Sequence, residues 1–341
     1  MTTIYDVAAR AGVSPATVSR VFNGTTVSPE RVAAVRAAAA ELGFVPNRNA
    51  RRLRTQSSEI VAMLVPDVEN PFFTTMVRAV TDVARAAGLW VMLCNTDDEP
   101  ELEAEFIRVA VSDPVAGLIV APTGPGTDLS VAIGRGVPVV CVDRDAPRFD
   151  VDTVVVDNLA GGRSATEELV RAGFRRIGCI SGPEGVMTAD LRVAGWRAAV
   201  LAETGAEPAP ELLHRGPYTI ETGEEGLRAL LALPEPVDAV FAANNRLAVG
   251  VVRDLVGRGS GPHEIGVVSL GELAARLYVP RGMIVTHLPA RELGSRSAEM
   301  LIERIAGYDG PGRREVLPTV VTDDQETFTT TFPIMEEENQ R

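Results

Sequence analysis

From Ser58 onward two kinds of segment alternate, and this alternation constrains the fold more than any other feature. Uninterrupted apolar runs near residues 59–65, 89–94, 116–121, 137–142 and 153–156 read as strands, with helical stretches near 72–87, 99–111 and 127–135 between them. A second series follows, with strands near 175–181, 237–242 and 264–270 and helices near 158–172, 188–204, 221–232 and 245–258. A run such as GLIVA at 117–121 has no polar face. Strands of that kind belong in parallel sheets covered by helices on both sides. Two such series predict an α/β body of two lobes, with ligands at the carboxyl ends of the strands in the cleft between them.

The first residues obey a different rule. The stretch TIYDVAARAGVSPATVSRVFN, residues 3–23, reads as two short helices joined by a tight turn. Thr3 and Asp6 have capping-box spacing, Gly12 supplies a permissive backbone, and Ser14-Pro15 opens the second helix. Val18 and Val21 face inward, leaving Thr17, Ser19 and Arg20 outside, with Asn23 near the end. Short polar groups and an arginine on such a helix suit a DNA major groove. An ordinary helical hairpin is the alternative reading. A third helix is expected from Pro29 to about Leu42, capped by Ser28 and stopped by Gly43.

Charge separates the two parts. The whole chain carries a formal −13, an argument against nucleic acid if taken alone. Residues 1–56, however, hold eight arginines against three acids, +5, and the remainder holds 25 arginines against 43 acids, −18. A basic head on an acidic body fits a small DNA-binding module. The chain contains no lysine.

Between head and body, Arg48, Arg51, Arg52 and Arg54 surround Leu53. One apolar wedge among cations suits the minor groove, where such wedges open base steps; a solvated linker is the alternative. The expected division is a helix–turn–helix domain at 1–46, a hinge helix or linker at 47–57, the body at 58–321 and an acidic tail at 322–341. Cys94, Cys141 and Cys179 lie in apolar runs and read as buried free thiols in a reducing cytoplasm. No apolar run reaches 18 residues, and no signal-peptide core precedes the first helix, so neither a membrane span nor export is expected. No phosphate loop, nucleophile elbow or cluster of metal ligands is legible, so no enzyme activity, cofactor or metal is expected.

The blocks IYDVAARAGVSPATVSRVFNG and VSPERVAAVRAAAAELGFVPNRNARRL, followed by VPDVENPFF, PVVCVDR, VVVDNLAGGRSATEELVRAGFRRIGCISGP, TADLRVAGWRAAV and AVFAANNRLAVG, resemble the LacI/GalR (lactose-repressor) family over roughly residues 3–320. The resemblance implies a helix–turn–helix head, a hinge helix and a body like periplasmic sugar-binding proteins. Its first lobe would take about 58–157 and 287–321, and its second about 158–286. It also implies a homodimer on a pseudo-palindromic DNA operator, with a small-molecule effector, a sugar or related metabolite, in the cleft. By the same resemblance Thr3, Ser14, Pro15, Ala16, Thr17, Ser19, Arg20, Asn23, Asn47, Ala50 and Leu53 are the DNA-binding positions. Leu53 is the operator wedge, and Ala50 is the small residue where two hinge helices meet.

In the cleft the resemblance assigns Asn70, Phe72, Phe73, Asp143, Arg192, Tyr218, Asn245 and Glu272 to the effector. Phe72 and Phe73 are equally readable as core, and Asp143 with Arg144 as a structural ion pair. The chain departs from the family where Asn244-Asn245 replaces the usual Asn-Asp, where Gly271-Glu272 replaces an acidic pair, and where Leu288 replaces a glutamine. Arg246 and Arg281 read as solvated surface charges, and His214, His263 and His287 are given no role. A solute-binding protein with no DNA-linked role is the alternative function.

Overall fold

The computed structural model describes residues 2–22, 26–44, 58–112, 115–259, 265–273 and 283–321. The chain divides into two compact units, residues 1–58 and 59–341. The predicted positions Asn23, Asn47, Ala50 and Leu53, together with Arg281, the hinge and the tail, lie outside the described residues.

The first unit contains α1 (Ile4–Ala11), α2 (Pro15–Phe22) and α3 (Pro29–Glu41). Thr3 and Asp6 form the reciprocal capping box, the Thr3 amide donating to Asp6 Oδ2 at 2.7 Å and the Asp6 amide to the Thr3 hydroxyl at 3.4 Å. Gly12 ends α1 in the left-handed region at φ 64°, where a Cβ would be strained. Ser14 accepts from the Thr17 amide at 3.2 Å and opens α2. Ser28 stands at the N-cap of α3 but makes no side-chain cap, so the start of that helix relies on Pro29 with its preset φ. Val7, Ala8, Val18, Val21, Val35, Ala38 and Ala39 form the core, with Phe22, Val32 and Leu42 half-buried around it. The core is small, and the Phe22 and Phe44 rings, 5.8 Å apart, close one side of it.

Among the described residues the second unit has two six-stranded sheets. Its strands are β1 (Ile60–Val65), β2 (Trp90–Asn95), β3 (Gly117–Val120), β4 (Val139–Val142), β5 (Asp152–Val156), β6 (Ile177–Ser181), β7 (Leu213–Arg215), β8 (Ala239–Ala242), β9 (Gly266–Leu270), β10 (Met283–His287), β11 (Arg314–Leu317) and β12 (Val320–Val321). The first sheet runs β11-β5-β4-β3-β1-β2 and is wholly parallel. The second runs β12-β10-β9-β8-β6-β7 and is parallel except where β12 pairs with β10. In both sheets the strand order reverses beside the first strand of the lobe. That switch point is where loops diverge and leave a crevice. β3, β4, β5, β6, β8 and β9 are buried along their length; β3, β4 and β8 are wholly apolar, while β5, β6 and β9 also bury Asp152, Thr153, Ser181 and Ser269. β2 differs: it is an edge strand, and Trp90, Met92 and Leu93 are exposed.

The covering helices that matter for the cleft are α4 (Pro71–Ala86), α5 (Pro100–Ser112), α6 (Ser130–Gly134), α7 (Asn158–Arg171), α8 (Met187–Thr204), α9 (Ile220–Leu231), α10 (Asn245–Gly257) and α11 (Ala290–Ile305). The chain passes between lobes after β5, after β10 and after β11. The last passage shifts the expected boundary: Val320–Val321 belongs to the second sheet, because it pairs with β10, so the return to the first lobe ends near Leu317 and not at 321. The three cysteines are free and buried, and burial pushes the Cys141 thiol up to about 12.

Candidate functional sites: a recognition helix and an interlobe cleft

On the first unit, Thr3, Ser14, Ala16 and Arg20 are exposed, and Pro15, Thr17 and Ser19 are partly so. The Ser14 and Thr17 hydroxyls share a hydrogen bond at 2.9 Å, which fixes the first turn of α2. The expected contact positions therefore lie on the outer side of α2, while Val18 and Val21 hold its inner side to the core. Tyr5, 70% exposed on α1, is an aromatic the sequence reading passed over. Its neighbours Ile4 and Val7 gave the helical stripe, and nothing in a stripe marks an exposed aromatic as useful.

On the second unit, a cavity of about 1310 Å³ lies between the lobes. All eight residues assigned to the effector line it: Asn70, Phe72, Phe73, Asp143, Arg192, Tyr218, Asn245 and Glu272. They come from the carboxyl ends of β1, β4, β7, β8 and β9 and from the adjoining turns of α4, α8 and α10, so one face of each sheet's loops supplies them.

Arg192 is 5% exposed and held at two points. Its Nε donates to Asn158 Oδ1 at 2.8 Å and its Nη1 to the Ala243 carbonyl at 2.8 Å. Local sequence makes this placement possible. A Cβ at Gly162 on α7 would overlap the Arg192 carbonyl, so only glycine lets α7 and α8 approach this closely. The ring of Tyr218 is seated in the same way, on the backbone of Gly182, where a Cβ would overlap it.

Asp143 follows β4 with φ 65°, a left-handed conformation uncommon for anything but Gly, Asn or Asp. It is buried, its Oδ1 has no hydrogen-bond partner, and its Oδ2 lies 3.8 Å from Arg144 Nε, too far for a hydrogen bond. Burial pushes its carboxyl up, and the cations of Arg144 and Arg192 pull it part of the way back. Arg144 is committed elsewhere. It grips Asp98 at 2.6 and 3.3 Å and the carbonyls of Pro122 and Thr123 at 3.1 and 3.3 Å. From the far side Glu103 accepts the Thr123 amide at 2.8 Å and the Thr127 hydroxyl at 2.7 Å. The Asp143–Arg144 pair thus separates into a structural arginine and a carboxylate facing the cleft. The Tyr218 hydroxyl is likewise buried without a partner among the described residues.

The remaining predicted residues have other attachments. Phe73 is in the core, with Phe72 half-buried against it at 5.1 Å between ring centroids. Asn70 caps α4, accepting from the Phe72 amide at 3.1 Å. Asn245 donates to Asn70 Oδ1 at 2.9 Å and to the Glu272 carbonyl at 3.1 Å. The Glu272 side chain meets His287 Nδ1 at 2.8 Å, which brings into the cleft a histidine to which the sequence reading gave no role. Arg246 is no solvated charge: it reaches across to Asp67 of the first lobe. Its partner lies 179 positions away, beyond the range of any local pattern.

A three-helix head with an exposed recognition helix, carried by a two-lobed α/β binding body with a polar cleft, defines a ligand-binding regulator class. Residues 3–47 match the model of "Bacterial regulatory proteins, lacI family", and residues 58–327 match that of "Periplasmic binding proteins and sugar binding domain of LacI family". The chain belongs to the LacI family and is a DNA-binding transcriptional regulator. It is 33% identical to the ribose operon repressor of Halalkalibacterium halodurans, with 94% of this chain and 95% of that protein aligned. Among solved structures it is similar to a CelR–cellobiose complex (TM-score 0.71, 30% identity, 94% and 98% of the two chains). It is also similar to the lac repressor dimer bound to operator and the anti-inducer ONPF (TM-score 0.79, 26% identity, 94% and 97%). These relatives are transcriptional regulators, not enzymes. Among the described residues no helix is long and apolar enough to cross a membrane.

Proposed function

We propose that this chain is a cytoplasmic repressor that binds a pseudo-palindromic operator as a homodimer, and that a sugar-like effector in the cleft changes its affinity for that operator. One observation carries the effector reading. The Oδ1 of the buried Asp143 carboxylate and the buried Tyr218 hydroxyl have no hydrogen-bond partner among the described residues, in a cleft that also holds the anchored Arg192. Unpaired buried polar groups cost free energy, and they suit a ligand whose hydroxyls donate to a carboxylate and accept from a guanidinium. Phe72 supplies an apolar wall, and Asn70, Asn245 and Glu272 also line the cleft. The match to a sugar-binding family model and the likeness to a cellobiose complex support the same ligand class.

On the DNA side Thr3, Ser14, Pro15, Ala16, Thr17, Ser19 and Arg20 are the proposed contacts, with Asn23, Asn47, Ala50 and Leu53 added from the family pattern. Pro15 brings no side-chain donor and Ala16 only a methyl group, so Arg20 is the strongest base reader in this set. The exposed apolar edge strand β2, with Trp90, Met92 and Leu93, supports the dimer. Coupling between effector and operator in such a switch is typically about 1–3 kcal/mol and reciprocal. The test is Arg192→Ala in an operator-release titration with a panel of sugars and related metabolites. The variant should fold and bind operator yet fail to respond; an unchanged response would put the effector elsewhere.

A further inference from the structure

The loop leaving β1 meets the start of α10 across the cleft through two side-chain bridges. Asn245 donates to Asn70, and Arg246 pairs with Asp67, with Glu69 3.7 Å from the same guanidinium. Asp67 and Asn70 belong to the first lobe, and Asn245 and Arg246 to the second.

The amide bridge has a fixed sense. Asn70 Oδ1 is already the cap acceptor for the Phe72 amide, so its oxygen, not its nitrogen, faces Asn245. Position 245 must therefore donate. Asn245 is also close to saturated: both Nδ2 hydrogens are used, on Asn70 and the Glu272 carbonyl, and its Oδ1 accepts from the Arg246 amide at 2.9 Å. Both asparagines are buried at the contact, and the Asp67 and Arg246 side chains are only about a quarter exposed, at 27% and 26%.

We infer that Asn245 and Arg246 latch the two lobes together through Asn70 and Asp67, and that Asn245 does not read the effector. An aspartate at 245, the residue usual in the family, would set acceptor against acceptor and break the amide bridge, so the departure from the family pattern has a physical reason here. The four latch residues line the same cleft, where Asp143, Arg192 and Tyr218 are left to recognise ligand. Lobe geometry is then set by residues of this chain as well as by the effector. The latch deepens the proposed effector reading by saying which cleft residues are spent on closure, but its bonds exist independently of any metabolite.

The experiment is hydrogen exchange on the full-length protein with no effector added, so failure to find an effector would not bear on it. Wild type is compared with Asn245→Asp, Arg246→Asp, Asp67→Arg and the charge-reversed pair Asp67→Arg with Arg246→Asp. Each single variant should speed exchange at least about threefold in peptides covering 66–76 and 243–250 together, although these lie on opposite lobes, and leave β3 and β6 unchanged. The charge-reversed pair should restore protection in both segments relative to its parent singles. Exchange that rises only in the substituted segment, or not at all, would overturn the latch. So would a loss of fold in Arg246→Asp that charge reversal does not repair.

Discussion

Arg192 Nε donates to Asn158 Oδ1 at 2.8 Å, and Asn158 Nδ2 donates in turn to the Val156 carbonyl at 3.1 Å. Val156 ends the last strand before the first lobe crossing, and Asn158 begins the first helix after it. The guanidinium proposed to meet the effector is thus tied by one amide to the strand where the lobes join. Asn158→Ala should weaken effector-dependent operator release by roughly tenfold or more, because a hydrogen bond to a charged group is worth about 1.5–3 kcal/mol. Circular dichroism should remain native. A release curve matching wild type would show that Arg192 needs no such anchor.

Asp143 stores an unfavourable charge. Its folded carboxyl titrates above the ordinary aspartate value because it is buried, so its contribution to stability is full below that ordinary value and is lost as pH rises through the raised one. Asp143→Asn keeps a side chain that tolerates the left-handed backbone and removes the charge. The variant should melt at or above the wild-type temperature at pH 7, with the gain shrinking toward pH 4, while the effector response falls at least about tenfold. A less stable variant that still responds would contradict this assignment.

Asp152 behaves in the opposite sense. Its side chain is fully buried, which alone would raise its pKa, but Arg304 and Arg313 hydrogen-bond it at 2.8 to 3.2 Å and hold it well below the usual range. These bonds fasten α11 and the approach to β11 onto β5. Asp152→Asn should cost about 1.5–3 kcal/mol in denaturant unfolding at pH 7, because it removes the charge that accepts from both arginines, while Arg313 keeps Glu303 and Arg304 keeps the Gly310 and Pro311 carbonyls. Since the folded pKa is depressed, that difference is present above the ordinary aspartate value and should fade as pH falls below about 4. A pH-independent difference would mean that packing, not charge, holds the strand.

Leu53 lies outside the described residues, and its prediction stands on sequence alone. Leu53→Ala should weaken operator binding far more than binding to random DNA of the same length, because a wedge acts only where the duplex is bent. Equal losses on both DNAs would remove the wedge role.

Much of the fold was legible because its signal is local. Unbroken apolar runs gave eight of the strands, and the caps at Thr3 and Ser14 marked the head helices. The chain after residue 270 was not read as elements. β7 and β12 span three and two residues, too few for a period to register. α11 carries its arginines and glutamates on a helix whose buried side, Leu293, Ser297 and Leu301, is not uniformly apolar. In the cleft, the family pattern named residues that do line one cavity, but it could not say which are already bonded. Asn245 and Arg246 look like ligand reader and surface charge in sequence. Only the folded chain brings Asn70 and Asp67, far away in sequence, against them.

The central claim is that the head recognises a specific operator and the cleft controls that recognition. The most direct measurement is selection of bound sites from a random duplex pool at fixed, near-physiological salt, repeated with a panel of sugars and related metabolites. Salt is held constant because phosphate contacts make affinity steeply salt-dependent. The account predicts enrichment of a palindromic site and a shift of about 5- to 150-fold in its affinity with one metabolite, the range of typical coupling energies. A pool with no enriched site, or an enriched site that no ligand bound in the cleft affects, would contradict it.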